Sequence, residues 1–300
     1  MNRIKDQIRC GAAYRLGLTG KGIGVAVLDT GIFLHRDFDS RVTGFADMVN
    51  GKTFAYDDCG HGTHICGIIG GSGRMSGGRY SGIAPGCDLV MVKVLDRRGN
   101  GYSSDVLAGI SWILERKEKL GIRILNISVG ACSKRGMSEN SALVKGVNRA
   151  WDAGLVVVVA AGNNGPRTMS ITTPGISRKV ITVGCSDDDR EVLVGGNRMV
   201  DYSGRGPTAA CICKPDLVAP GCSVVSCAGR ADKYTIKSGT SMATPIVSGA
   251  AALFLSKYPD MTNEQVKYYF QSTATDLHLP RNQQGYGLLN IERLLSAPDM

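Results

Sequence analysis

The chain has 300 residues, of which 43% are hydrophobic and 20% are charged, and its formal net charge at pH 7 is +9. This composition is ordinary for a globular protein and excludes a largely disordered chain. Glycine is in excess, at 40 residues, but it has no three-residue period, which excludes collagen. No internal repeat or low-complexity linker interrupts the sequence, so we predict a single domain over residues 1–300.

Five short segments have the continuously apolar character of buried strands. They are Gly24–Asp29, Asp88–Leu95, Arg123–Val129, Leu155–Ala161 and Val180–Cys185. Segments that are apolar on both faces are typical of a parallel sheet that is covered on both sides. Their recurrence between helical patterns predicts a parallel sheet.

Four segments between and after these strands have helical periodicity. They are Ser104–Lys119, Glu139–Ala153, Met242–Lys257 and Thr262–Ser272, the last of which starts with the capping box Thr262-x-x-Gln265. Alternating strands and helices predict an α/β fold, with a mostly parallel twisted sheet and helices on both faces. Arg74–Tyr80 and Asp187–Arg198 are predicted to be surface loops.

Two polar residues stand where a parallel sheet would present a ligand site. Asp29 ends the first strong strand, and Asn163 follows the buried run that ends at Ala161. Ligands of such sheets gather at the carboxyl ends of the strands. Each residue also has an ordinary explanation, because aspartate and asparagine are common in turns.

His61 and Ser241 both precede apolar helical patterns. His61 lies between two glycines in Gly60–His64, and Ser241 follows Gly239 in a helix start that has Pro245 in its predicted first turn. A serine at that place is usually a helix cap, but Gly239 also permits close approach of a substrate backbone. His64 follows three residues after His61, without the glutamate and i+4 spacing of a zinc motif, so we predict a structural histidine.

Together these residues form the set that a serine hydrolase needs, in the order Asp…His…Ser. A serine hydroxyl is a weak nucleophile at neutral pH and requires a base, the part that His61 would play for Ser241. Asp29 would hold the imidazole in the correct tautomer. The side-chain amide of Asn163 and the backbone N–H of Ser241 would bind the oxyanion.

The motifs that contain these residues resemble those of the subtilisin family of serine peptidases, the subtilases. The matching motifs are VAVLDTG at 25–31, HGTH at 61–64, AGNNG at 161–165, KPDLVAPG at 214–221 and GTSMATP at 239–245. The resemblance runs from about Leu18 to Leu289, and the approach Tyr56–Asp58 to the histidine is similar to that of AprX-like bacterial members. It implies a three-layer subtilisin-like fold and a serine endopeptidase that forms an acyl-enzyme intermediate.

The resemblance also implies a cleft for an extended peptide. One edge would be Gly99, Asn100 and Gly101, and the other Ser128, Val129 and Gly130, with main-chain pairing to the substrate on both sides. The side-chain pocket would lie beside the second edge and beside Ala161 and Gly162, with Thr172–Pro174 as its floor. Taken alone, Gly99–Gly101 is also an ordinary turn.

Calcium is common in the family, and Asp37 aligns with a usual calcium-binding aspartate. The segment 70–80 (GGSGRMSGGRY) lacks the expected asparagine-bearing calcium loop. We therefore expect no required cofactor, while weaker calcium sites elsewhere stay open. Peptide or protein substrates are the expected partners, and an inhibitory prodomain, which many members carry, or a protein inhibitor is a further candidate.

Other classes of partner and of function are weaker alternatives. The basic residues are dispersed, and the run 115–119 alternates with acids, so neither nucleic acid nor a membrane is a predicted partner. The segment Met1–Lys21 has no apolar stretch of a secretory signal, and ten cysteines fit a reducing compartment, which predicts the cytoplasm and leaves a secreted mature form open. A silent binding or regulatory subtilase and an acyl-transfer variant, a transpeptidase or esterase, are the alternative functions.

Overall fold

The computed structural model describes residues 1–130 and 139–296. Its strands are β1 (Gly24–Asp29), β2 (Val42–Asp47), β3 (Asp88–Lys93), β4 (Ile122–Ile127), β5 (Val156–Ala160), β6 (Ile181–Cys185), β7 (Val192–Val194), β8 (Asn197–Met199), β9 (Leu217–Ala219), β10 (Val224–Cys227) and β11 (Tyr234–Lys237). Seven of them form one sheet in the order β2-β3-β1-β4-β5-β6-β9. Every neighbouring pair in that sheet is parallel, which brings the carboxyl ends of its strands to one edge.

The helices of the described residues are α1 (Asn2–Gln7), α2 (Gly11–Arg15), α3 (His61–Gly70), α4 (Ser103–Arg116), α5 (Ala142–Asp152), α6 (Thr240–Lys257), α7 (Asn263–Ser272), α8 (Arg281–Gln284) and α9 (Ile291–Ser296). The longest, α6, is buried from Met242 to Leu255. An amphipathic surface helix would keep a polar face, so the apolar circumference of α6 identifies it as a core helix.

Helices cover both faces of the sheet. Gly109 of α4 lies against Leu28 of β1, whereas Gly62 of α3 lies against the next residue, Asp29. Successive residues of a strand point to opposite faces, so α3 and α4 lie on opposite sides. Ser248 of α6 donates to Asn126 of β4, which pairs with Val27 on the α3 side. The result is the three-layer α/β arrangement that the sequence predicts.

All five predicted strands and four predicted helices are present, with ends that differ by up to three residues. The strands are β1, β3, β4, β5 and β6, and the helices are α4, α5, α6 and α7, where Thr262 and Gln265 form the predicted capping box. The edge strands β2 and β9 were not predicted. β2 is half exposed and β9 has only three residues, so neither has a long apolar run.

The prediction that Asp187–Arg198 is a plain loop is wrong. Residues of this segment form β7 and the start of β8, an antiparallel hairpin. Gly195 and Gly196 form its two-residue turn, both with positive φ angles of 57° and 90°. Glycine accommodates this turn geometry without strain, so the glycine pair was the available signal. Arg74–Tyr80 is loop apart from one 3-10 turn at Arg74–Ser76.

The predicted start of α6 is also corrected. The helix begins at Thr240, two residues earlier than expected, so Ser241 lies inside its first turn. Pro245 is consequently beyond the first turn, where its missing N–H leaves the Ser241 carbonyl without the usual helical partner. The preceding residue, Gly239, has a φ of 141°, a conformation that side chains rarely adopt.

Candidate active site

Asp29 and His61 form a close pair at the carboxyl edge of the sheet. Asp29 is the fully buried last residue of β1, and His61 is the first residue of α3. Nδ1 of His61 lies 2.8 and 2.9 Å from the two carboxylate oxygens of Asp29. Burial disfavours the imidazolium, but the charge of Asp29 and its hydrogen bond outweigh burial and raise the pKa of His61 above its ordinary value.

A second carboxylate, Asp57, holds the start of α3. It accepts hydrogen bonds from the backbone N–H of Gly60 at 2.7 Å and from the N–H and hydroxyl of Thr63 at 2.9 and 2.6 Å. It also accepts the hydroxyl of Thr30, which in turn accepts the N–H of Gly62 at 2.9 Å. A negative side chain stabilises a helix N-terminus, so Asp57 orients the helix that carries His61.

Ser241 lies at the carboxyl end of the neighbouring strand β4. Its hydroxyl donates to the carbonyl of Ser128 at 2.6 Å. Among the described residues it makes no hydrogen bond to His61, so a rotation about the Cα–Cβ bond would precede proton transfer. Ligand-free active sites commonly show such relaxed geometry. Asn126 donates to the Ser128 hydroxyl at 2.9 Å and accepts the hydroxyl of Ser248, which connects Ser128 to α6.

Thr240 orients the amide of Asn163. The side-chain oxygen of Asn163 accepts both the N–H and the hydroxyl of Thr240, each at 3.0 Å. Both ends of the amide lie near Gly239, where an added Cβ would be 3.5 Å from the nitrogen and 3.6 Å from the oxygen. The Thr240 hydroxyl also accepts the N–H of Gly162 at 3.2 Å, which joins α6 to the end of β5. Thr240 is not among the residues predicted from the sequence, although it directly precedes Ser241.

Lys93, another residue that the sequence analysis missed, joins three segments of the site. Its side chain is fully buried, and Nζ donates to the carbonyls of Thr30 and Leu95 at 2.6 and 2.7 Å and to Asp58 at 2.7 Å. Thr30 follows Asp29 in the chain, and Asp58 precedes His61 by three residues. A lysine inside a buried strand is rare unless paired, which was the available signal.

The predicted cleft edges line one cavity of about 230 Å³. Gly99, Asn100 and Gly101 form one side, and Val129 and Gly130 form another, whereas Ser128 of the predicted second edge does not line the cavity. The remaining lining is largely apolar and comprises Leu95, Tyr102, Ser103, Val106, Ile127, Leu143, Thr173 and Pro174. The cavity therefore suits an apolar side chain more than a charged one.

Thr172 fills the space between Gly130 and Gly162. A Cβ added at Gly130 would lie 2.3 Å from its hydroxyl oxygen, and one added at Gly162 would lie 2.4 Å from its methyl carbon. The carbonyl of the buried Ala161 accepts the N–H of Thr172 at 2.9 Å. Thr172 is thus held between two predicted edges of the cleft. Substrate contact by Ala161 and Gly162 stays a prediction.

The surroundings of Asp37 do not fit a calcium ion. Its carboxylate already accepts the N–H of Met75 at 2.9 Å and the hydroxyl of Tyr234 at 2.7 Å, with the Cys227 thiol 3.7 Å away. The ring of His35 also lies within 4 Å of it. Calcium takes six to eight oxygen ligands, whereas Asp37 is surrounded by hydrogen-bond donors, a thiol and an imidazole.

His64 has the structural environment that the sequence predicts. It is fully buried, and Nε2 lies 3.1 and 3.2 Å from the carbonyls of Val224 and Thr235 in the β10–β11 hairpin. Burial is the main cause that lowers the pKa of His64 to about 3, so the ring is neutral at ordinary pH. Of the described residues, no group that could hold a metal includes His61 or His64.

Comparison with known proteins decides the family. Residues 20–287 match the profile of the Subtilase family of S8 peptidases. The chain belongs to this family. It is 44% identical to serine protease AprX of Bacillus subtilis (strain 168) over an alignment of 314 residues, which covers 99% of this chain and 70% of that protein. It is 36% identical to subtilisin BL of Lederbergia lenta, with 96% of each chain covered.

Solved structures agree. Sphericase superimposes with a TM-score of 0.77 at 31% identity, covering 91% of this chain and 92% of that one. A cold adapted subtilisin-like serine proteinase gives 0.74 at 30% identity, with 91% and 90% covered. This subtilase is therefore a serine endopeptidase with the subtilisin-like fold, a hydrolase that acts on peptides or proteins.

Two observations concern the chain outside the active site. No helix of the described residues is long and apolar enough to cross a membrane. Nine cysteines, all those within the described residues, are free thiols. Free thiols accord with a reducing compartment, and the cytoplasmic location stays a prediction.

Proposed function

We propose that this subtilase cleaves peptide bonds with Ser241 as nucleophile, His61 as general acid and base, and Asp29 as the orienting carboxylate. The observation that carries the proposal is the Asp29–His61 pair, 2.8 Å apart. Asp29 is buried at the end of β1, and β4, whose following residue Ser128 accepts the Ser241 hydroxyl, is the neighbouring strand. Nδ1–H bound to Asp29 leaves Nε2 as the basic nitrogen of the ring. Rotation of the Ser241 side chain away from the Ser128 carbonyl would free its hydroxyl to approach that nitrogen.

The reaction would proceed in two halves. His61 takes the proton of Ser241 as the hydroxyl attacks the peptide carbonyl, and it then gives that proton to the leaving amine. The NH₂ group of Asn163 and the first-turn N–H of Ser241 stabilise the negative oxygen of the tetrahedral intermediate. Water hydrolyses the resulting acyl-enzyme through the same groups in the second half.

The substrate would lie extended between the edges Gly99–Gly101 and Ser128–Gly130. Glycines at these edges let backbone approach backbone, which gives affinity without reading sequence. The cavity of about 230 Å³ beside both edges would receive an apolar side chain of the substrate. Thr172, wedged between Gly130 and Gly162, narrows the space next to the scissile bond and favours a small side chain there.

We further propose that the enzyme needs no calcium at Asp37. The hydrogen bonds from Met75 and Tyr234 satisfy oxygens of this carboxylate that a cation would otherwise have to contact. The segment around Arg74–Ser76 is thereby held against the body of the protein by backbone hydrogen bonding.

The decisive test of the mechanism is labelling with a fluorophosphonate probe, read by intact mass, on the wild type and on Ser241→Ala. We expect one label on the wild type, none on the variant, and loss of peptidase activity with an unchanged circular dichroism spectrum. Full peptidase activity of a folded Ser241→Ala protein would refute the mechanism. Product analysis with an added amine nucleophile separates hydrolysis from acyl transfer, and an unlabelled, folded wild type would indicate a silent subtilase.

A further inference from the structure

Two thiols and a carboxylate meet in a small cluster outside the catalytic residues. Cys185 ends β6, Asp187 follows it, and Cys222 lies after β9. One ligand atom from each residue lies within 4.8 Å of the other two. Both cysteines are almost fully buried, at 3% and 4% exposure, whereas the side chain of Asp187 is 14% exposed and links the cluster to the surface.

Hydrogen bonds already align the three ligand atoms. The hydroxyl of Tyr202 lies 3.3 Å from Sγ of Cys185 and 3.0 Å from Sγ of Cys222. The Cys185 thiol donates to Oδ1 of Asp187 at 3.2 Å. Oδ1 of Asp187 also accepts the N–H groups of Gly221 and Cys222 at 2.7 and 3.0 Å, which hold the carboxylate in place. A cation bound here would replace the thiol protons that now bridge sulfur and oxygen.

The charge of the cluster favours a divalent ion. Two thiolates and the carboxylate would carry three negative charges, and Arg3, 2.7 Å from Asp187, supplies one positive charge. A divalent cation would therefore make the cluster neutral, which matters in a buried place. Sulfur ligands select soft or borderline metals such as zinc and cadmium over calcium and magnesium.

We propose that Cys185, Cys222 and Asp187 form a binding site for one thiophilic divalent cation of the zinc class, with the Tyr202 hydroxyl beside it as a further polar neighbour. Binding replaces two thiol protons, which leave to solvent as the two metal–sulfur bonds form. Because each thiol must lose its proton to bind the ion, binding should strengthen as pH rises.

The site lies behind the two segments that carry Ser241 and Asn163. The carbonyl of Gly221, next to Cys222, accepts the N–H of Gly239 at 3.0 Å, two residues before Ser241. The carbonyl of Tyr202 accepts the N–H of Gly165 at 2.9 Å, two residues after Asn163. A metal at this place would therefore lie next to the residues whose backbone hydrogen bonds hold both segments.

The experiment uses cadmium as the probe. The background protein carries serine in place of the exposed Cys59, Cys211 and Cys213 and of Cys132, which lies outside the described residues. Cadmium is titrated at several pH values while the sulfur-to-cadmium charge-transfer absorbance is followed. Cys185→Ser and Cys222→Ser test the site, and Cys227→Ser is the matched control, because Cys227 belongs to the other group of described residues that could hold a metal.

We expect one cadmium per chain, at least tenfold weaker binding in Cys185→Ser and in Cys222→Ser, and unchanged binding in Cys227→Ser. Absence of the absorbance band in the background protein would overturn the proposal, as would its survival in the Cys185→Ser/Cys222→Ser double variant. Should the variants fail to fold, the ¹¹³Cd NMR shift of the background protein still decides, because fewer than two sulfur ligands would contradict the site.

Discussion

Hydrogen bonds at the active site leave one atom of each polar side chain for chemistry. Asp29 occupies Nδ1 of His61, and Thr240 occupies the oxygen of the Asn163 amide. The remaining atoms are the basic Nε2 of the ring and the NH₂ group of the amide. Preorganisation of this kind lets a site stabilise a transition state without reorganising during the reaction.

The acid limb of the pH–activity profile should report His61. Its pKa is raised and the base must be neutral, so kcat/KM should increase with pH and level off above an apparent pKa higher than about 6.5, the ordinary value for imidazole. Asp29→Asn removes the negative charge and should lower the pKa of His61, while kcat falls by about four orders of magnitude.

NMR titration of the imidazole measures that pKa independently of turnover. Lys237 provides a control in which the pKa should shift in the opposite direction, since its positive charge lowers the pKa of His61. Lys237→Gln should therefore raise the pKa that Asp29→Asn lowers. Shifts of the same sign in the two variants would contradict this electrostatic account.

Asn163→Ala should reduce kcat far more than it changes KM. The amide donates to an oxygen that becomes negative only in the transition state, and the loss of the equivalent donor in subtilisin costs about a hundred- to a thousandfold in kcat. Steady-state kinetics on one peptide measures both parameters. A kcat equal to that of the wild type would remove Asn163 from the oxyanion role.

Among the secondary-structure elements, the site depends on how strand ends and helix starts are joined. The first turn of α3 donates to Asp57, and the first residue of α6 donates to Asn163. Lys93, the last residue of β3, donates to the carbonyl of Thr30, which follows β1. These connections cross between distant parts of the chain. Each one replaces water around a buried polar group, so losing it exposes an unsatisfied partner.

Lys93→Met should lower both stability and kcat. It leaves the carbonyls of Thr30 and Leu95 and the carboxylate of Asp58 without their buried cation, at a cost of about 3 kcal/mol in the free energy of unfolding. Urea unfolding and peptide kinetics, both below the unfolding transition, measure the two effects. Lys21→Met, at an exposed lysine, should change neither, and equal behaviour of the two variants would contradict the role of Lys93.

Thr172→Gly should change which side chain is accepted before the cleaved bond. Removing the side chain opens the space between Gly130 and Gly162, and each additional buried methylene of substrate contributes about 1–3 kcal/mol to discrimination. Profiling with a peptide library should show larger residues gaining roughly tenfold or more in kcat/KM relative to alanine. An unchanged profile would place this pocket elsewhere in the cleft.

For the whole molecule, the arrangement around Asp37 and the expectation that no cofactor is required together predict that a calcium chelator does not change thermal unfolding. Its carboxylate is satisfied by Met75 and Tyr234, so no cation is required to neutralise it. Tyr234→Phe should instead lower the free energy of unfolding by about 1–3 kcal/mol. A midpoint of unfolding that falls with EGTA and is restored by calcium would contradict the proposal.

Local patterns in the sequence were sufficient for most of the fold. The predicted strands are continuous apolar runs because each is covered on both faces, so burial requires apolar residues at every position. They are β1, β3, β4, β5 and β6. β2, β9 and the β7–β8 hairpin were missed because short or half-exposed strands bury too little to leave such a run. Whether such a segment forms a strand depends on the backbone hydrogen bonds that a neighbouring strand offers it, and a local pattern does not show that neighbour.

The sequence by itself determined the family and predicted the catalytic residues, because Asp29, His61, Asn163 and Ser241 each stand in a short motif. Only the tertiary structure decided how those residues are held. Thr240 against Asn163, the buried contacts of Lys93, and the meeting of Cys185 with Cys222 join residues far apart in the chain. Such contacts have no local periodicity or spacing, since they depend on the side chains that the folded sheet brings to one edge.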